Sequence, residues 1–147
     1  MQFSSAFITA ILSATALATP VPAAESKSMM AAAPEWTIAG LKRTCNAADD
    51  SCAWTFSVNT HLAAATPCSF TVKGKGASKT NISGQKCGPY TVGTGYDGKT
   101  FPGNGFTVLS VVDYTKKLIV WPGYTDVELV NGKVVSPDKS YAPATVA

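Results

Sequence analysis

Hydrophobic and polar residues alternate most cleanly over Ala53–Val58, where Trp54, Phe56 and Val58 take one side and Thr55 and Ser57 the other. Period-two alternation marks a strand with one buried face. Trp36–Arg43 (WTIAGLKR) reads as a second strand, and the connection through Thr44–Cys52 carries Asn46, Asp49 and Asp50, residues that bond their own backbone in reversals. Further strands are expected at Ser69–Lys73, Pro89–Gly93, Gly105–Asp113, Lys117–Trp121 and Asp126–Val130. Asn131-Gly132, set between Leu129-Val130 and Val134-Val135, is a hairpin signal. Phe106–Val112 and Leu118–Trp121 are apolar on both alternating faces, so they are expected at the centre of a doubly covered sheet. The polar stretch Asp113–Lys117 between them suits an antiparallel hairpin. The one helix candidate is a single turn at His61–Ala65, ended by Pro67. Short strands punctuated by turns predict an all-β fold, a single antiparallel β-sandwich or β-barrel.

Before these strands the pattern is different. Residues 1–18 are apolar and uncharged and close on Ala16-Leu17-Ala18, which predicts a cleaved signal peptide and a secreted, extracellular protein. The segment is too short to span a bilayer of ~30 Å, so no membrane insertion is expected. Residues 19–35 are rich in Ala, Pro and Ser and read as a flexible leader or pro-segment. Residues 36–147 are then expected to form one all-β domain.

Export changes the meaning of the four cysteines, because an oxidising compartment favours disulfides. Pairing Cys45 with Cys52 staples the neck of the first hairpin, and pairing Cys68 with Cys87 closes the segment between them into a loop. Closing a loop of that size restricts the unfolded chain by roughly 3 kcal/mol. The crossed pairings stay open on these residues alone. Six residues between Cys45 and Cys52, and one histidine in the chain, supply no zinc knuckle, so no metal and no cofactor are expected.

Charge is uneven. Residues 51–96 hold Lys73, Lys75, Lys79 and Lys86 and no acid, a basic island suited to a polyanion or, more simply, to solvation. Arg43 is the one arginine and no aromatic is interleaved among these lysines, so no nucleic-acid partner is expected. Any nucleophilic pair would have to use His61, and a lone His beside Leu62 and alanines is more often a packed or surface residue. Asp97, Asp113, Asp126 and Glu128 fall at turns or strand ends, as in any β-protein of this size. Gly74–Thr80 lacks the spacing and following helix of a phosphate loop. No catalytic residue is assigned.

Two surface features remain. Asn81-Ile82-Ser83 is an N-glycosylation sequon on a polar loop, which makes Asn81 a candidate modification site. Gly93–Gly105 (GTGYDGKTFPGNG) holds Tyr96 and Phe101 among five glycines and offers them, with the four lysines, as a candidate binding surface. Phe101 in such a loop more often tucks beneath it. Trp36, Trp54 and Trp121 sit in strand patterns and are expected in the core.

Several ordered blocks carry a resemblance. They are WTI at Trp36, LKRTCN at Leu41, CGPYTV at Cys87, GNGF at Gly103, SVVD at Ser110, LIVWPxYTD at Leu118 and NGKVVSPDxSY from Asn131 to Tyr141. Together they resemble the small secreted fungal proteins that include hypersensitive-response-inducing elicitors of plant pathogens. That resemblance implies an extracellular all-β protein with two disulfides and no catalytic residues. It also implies perception by a plant cell-surface or apoplastic protein, leading to cell death and defence. A carbohydrate-binding or cell-wall-associated module, taking cell-wall polysaccharide through Tyr96, Phe101 and the lysines, is the alternative expectation. A monomer is expected in either case.

Overall fold

A computed structural model describes residues 33–147. The expected signal peptide lies outside the described residues, as does the leader except for its last three positions.

The described residues form ten strands in two antiparallel sheets that face each other as a sandwich. They are β1 (Trp36–Cys45), β2 (Ser51–Asn59), β3 (Thr66–Lys73), β4 (Ile82–Cys87), β5 (Tyr90–Asp97), β6 (Phe106–Asp113), β7 (Leu118–Val120), β8 (Gly123–Thr125), β9 (Lys139–Tyr141) and β10 (Ala144–Thr145). One sheet has the order β3-β2-β1-β9. The other runs β10-β7-β6-β5-β4, with β8 also paired to β6. A 3-10 turn at Ala77–Lys79 lies between β3 and β4.

Alternation decides what each sheet buries. On β2, Cys52, Trp54, Phe56 and Val58 point inward between exposed or half-exposed neighbours, as the period-two pattern requires. They meet Val92, Leu109, Val111 and Val120 of the other sheet in one core. Among its aromatic members Trp36 meets Tyr90 edge to face at 5.5 Å and Phe56 meets Phe70 edge to face at 6.4 Å, while Trp54 stacks on Phe70 at 6.1 Å. β6 is central, as its apolar character on both faces predicts, and a turn over Tyr114–Lys117 leads it into β7.

Both disulfides form with the preferred pairing. Cys45 and Cys52 are direct cross-strand partners on β1 and β2, with Cα atoms 4.0 Å apart. Cys68 and Cys87 join β3 to β4, the edge strand of one sheet to the edge strand of the other.

The sequence expectation is corrected at five places. Asp126–Val130 is a turn rather than a strand, because Thr125 and Glu128 form a reciprocal cap. Glu128 Oε2 accepts the Thr125 N–H at 2.8 Å while Thr125 Oγ1 accepts the Glu128 N–H at 3.2 Å. Asn131-Gly132 does turn the chain, but into a tail that lies along β1 rather than into a hairpin. Gly132 N–H donates to Arg43 O, Val135 N–H donates to Leu41 O, and β9 then pairs with Trp36–Ile38. His61–Ala65 is a bend, since the Asn59 and Thr60 side chains take the His61 and Leu62 N–H groups. Trp121 is 53% exposed, because Val120 faces inward and the next residue must face out. Finally, β4, β8, β9 and β10 were not anticipated. β4 is a polar edge strand whose register shifts between Ile82 and Gln85, so it carries no alternating signal.

Candidate functional site

An open cleft lies at the far end of β5. It has a volume of about 670 Å³ and is lined by Lys79, Tyr96, Asp97, Gly98, Lys99 and Thr100. Three independent pieces of local chemistry build it. Asp97 folds the loop after β5 into a tight turn, its Oδ1 accepting the N–H groups of Lys99 and Thr100 and its Oδ2 accepting the Thr100 hydroxyl at 2.6 Å. The Thr100 hydroxyl, followed by the backbone N–H donors, holds the Asp97 carboxyl below its ordinary pKa.

Tyr96 is fixed at both ends. Its N–H donates to Asn81 Oδ1 at 2.8 Å and its hydroxyl donates to Asp126 Oδ2 at 2.9 Å. The Asp126 carboxylate, through that bond first and burial second, pushes the phenol above its usual pKa. Gly105 makes the arrangement possible, because a Cβ there would land on the Tyr96 hydroxyl and within 2.6 Å of Asp126 Oδ2. The 3-10 turn supplies the third piece, placing Lys79 Nζ 5.8 Å from the Tyr96 ring. The product is an open cleft with an aromatic wall, two ammonium groups and a carboxylate whose oxygens are already engaged.

Beneath that turn lies Arg43, 8% exposed, its guanidinium 5.6 Å over the Trp54 ring and its Nη1 donating to Ser78 O at 3.1 Å. Its Nε is buried without a hydrogen-bond partner. Burial draws the Arg43 pKa down, opposed by the charges of Asp126 and Asp49. Asp49 in turn accepts the N–H and the hydroxyl of Ser78. A smaller cavity of about 260 Å³ opens here between Arg43, Asn46, Ser78 and Asn131.

The candidate binding surface is therefore gathered only in part. Lys79 and Tyr96 meet in the cleft, whereas Lys73 at the end of β3, Lys75 in the following turn and Lys86 on β4 are exposed but do not line it. Lys86 Nζ instead donates to Thr91 Oγ1 at 3.2 Å. Phe101 does not tuck under the loop. It is 57% exposed, with its ring 6.1 Å from that of Phe106. Lys99 and Thr100 belong to the cleft and were missed, although Asp97 followed three residues on by Thr100 was a readable turn signal. Arg43 was read only as a solitary arginine, and nothing local in the sequence marks it as buried.

The other candidate groups are placed as follows. His61 is exposed, its Nε2 2.8 Å from Thr37 Oγ1. Asp113 accepts two N–H groups of the β6–β7 turn. Glu128 pairs with Lys139 at 2.8 Å. Cys45, Asp49 and Cys52 lie close together, but the two sulfurs are spent in a disulfide and offer no thiolate to a metal. Among the described residues no helix is long and apolar enough to cross a membrane.

Comparison with known proteins bears on the whole domain. Residues 37–146 match the family model described as Effector TSP1. The chain is also 53% identical over 148 residues to a protein named Effector TSP1 from Hypocrea virens (strain Gv29-8 / FGSC 10586), covering 99% of each chain. The match spans both sheets, both disulfides and every residue of the Tyr96 cleft, and the chain belongs to the Effector TSP1 family.

Proposed function

We propose that this protein is a secreted fungal effector that plant cells perceive, responding with hypersensitive cell death and defence, and that it acts by being bound rather than by turning over a substrate. The observation that carries this reading is the near full-length similarity to a protein named as an effector. The block-wise resemblance to hypersensitive-response-inducing elicitors supplies the plant partner. Two disulfides, one of them joining the sheets, support export and a rigid surface able to survive outside the cell.

The receptor is a plant cell-surface or apoplastic protein, met by a monomer through the rim that carries Lys79, Tyr96 and Lys99. Purified oxidised protein, infiltrated into leaves beside a reduced and alkylated control, tests this. Cell death and an oxidative burst are expected from the oxidised form alone, and they are expected to persist in His61→Ala. Silence of the oxidised form across several hosts overturns the reading. A wall-polysaccharide module is the second reading, favoured by the exposed Phe101 and the aromatic wall of the cleft. Retention on insoluble chitin, glucan or pectin tests it, and passage through all three retires it.

A further inference from the structure

The outer face of the six-stranded sheet carries a groove remote in character from the Tyr96 cleft. Its volume is about 280 Å³ and its boundary includes Ile82, Ser83, Gly93, Gly95, Ser110 and Trp121. Strand register explains the shape. Val120 pairs with Val111, so Trp121 falls beside Ser110. Ser110 pairs with Gly93, and the shifted stretch of β4 at Ser83–Gly84 lies beyond Gly93. An indole, a hydroxyl, a bare backbone and a second hydroxyl thus follow one another across four strands.

The floor is kept bare. A Cβ at Gly93 would come within 3.0 Å of Ile82 O and Ser110 Oγ, and the space over Gly95 is open. At one end stands Trp121, 53% exposed, whereas Trp36 and Trp54 are each 2% exposed. A half-exposed indole beside a largely apolar channel is a surface that gains from being covered.

At the other end the wall is made of the last two residues of the sequon Asn81-Ile82-Ser83. Ile82 pairs with Thr94 and packs against the core, Ser83 at the register shift lines the groove, and Asn81 immediately precedes β4 at this edge. Asn81 is exposed, and its Oδ1 is committed to the Tyr96 N–H at 2.8 Å. The amide nitrogen, the atom that carries an N-linked sugar, is therefore the end left for attachment. From β4 to β7 is three strand spacings, about 14 Å, the reach of a short glycan stem.

We propose that Asn81 carries an N-linked glycan whose first sugars lie along this groove and cover Trp121. The inference rests on the reading that the chain is exported. Attachment forms a bond between Asn81 Nδ2 and the anomeric carbon of a lipid-pyrophosphate oligosaccharide. The bond from that carbon to the pyrophosphate breaks, the pyrophosphate leaves with the electron pair, and the amide gives up one proton. Ring C–H faces then meet the indole, and the Ser83 and Ser110 hydroxyls flank the sugar as hydrogen-bond partners.

The molecule contains its own probe, since Trp121 is the accessible one of three indoles. The full chain, secreted from a fungal host, is compared with Ser83→Ala, which removes the sequon while leaving the Asn81–Tyr96 hydrogen bond in place, and with Asn81→Gln. Intact mass is expected to show a glycan in the wild type and none in either variant. Acrylamide is expected to quench tryptophan fluorescence far less in the glycosylated form, and Trp121→Phe is expected to abolish that difference. An exported chain with no sugar at Asn81 overturns the proposal, as does a glycan that leaves quenching unchanged. Protection of Trp121 in Ser83→Ala by added chitooligosaccharide, with none from the attached glycan, assigns the groove to an external sugar and also overturns it. A chain that is not exported defeats the export reading and this proposal with it.

Discussion

Arg43 and Lys79 each hold a cation over an aromatic ring at nearly the same distance, 5.6 Å to Trp54 and 5.8 Å to Tyr96. Arg43 sits between the sheets at 8% exposure, whereas Lys79 stands on the rim of an open cleft. Water makes the difference. A desolvated cation over a ring is worth about 2 kcal/mol or more, while an exposed one gains about 0.5–1 kcal/mol and keeps its hydration. The buried pair belongs to the scaffold, and the exposed pair stays open to solvent at the candidate cleft. They are also mechanically linked, because Arg43 holds the carbonyl of Ser78 and Lys79 is the next residue.

Arg43→Ala is expected to destabilise the fold most. Loss of the ring contact, the Ser78 hydrogen bond and the packed side-chain stem is expected to lower unfolding free energy by roughly 3 kcal/mol. A urea midpoint within error of the wild type would show that burial does not separate the two cations.

Gly105→Ala attacks the exposed pair through its support. The added Cβ meets the Tyr96 hydroxyl, so a loss of about 1–2 kcal/mol is expected, together with release of the ring from Asp126. Alkaline titration reads the release. The folded pKa of Tyr96 is raised, first by its hydrogen bond to Asp126, so the stability it contributes is full below the unfolded value of about 10 and is lost as pH rises through the higher folded value. Burial also raises the pKa of Tyr90 and Tyr124, so by tyrosinate absorbance Tyr96→Phe is expected to lose one of several late-titrating phenols of the wild type. In Gly105→Ala that phenol is expected to titrate near its ordinary value.

Lys79→Ala sharpens the comparison with the smallest effect on folding. Stability is expected to change by no more than about 0.5 kcal/mol, while the plant response falls. If docking is electrostatic, the wild-type response also weakens with salt, since screening already limits reach to about 8 Å at physiological ionic strength. Unfolding of Lys79→Ala at a clearly lower denaturant concentration would place Lys79 in the scaffold beside Arg43.

Much of the scaffold was legible along the chain. β1, β2 and β6 announce themselves through alternation or through continuous apolar runs, and Cys45–Cys52 brackets the hairpin it staples, which favoured Cys68–Cys87 without closing the crossed pairings. β4 did not, because an edge strand with a register shift needs no apolar face of its own. Asp126–Val130 misled because Val127 and Val130 look strand-like, although they are 72% and 55% exposed and the Thr125–Glu128 cap prevails. Trp121 misled because it follows a strand pattern, although it lies one residue past the inward-facing Val120 and so faces out.

Alternation, turn chemistry and cysteine number are read from neighbouring residues, so an all-β chain with two disulfides was legible from the order of residues alone. The candidate rim joins residues 79, 96 and 126, and the buried cation joins 43, 54 and 78. Those meetings depend on how two sheets close over one core, and that closure sets which lysine reaches an aromatic ring and which arginine loses its water.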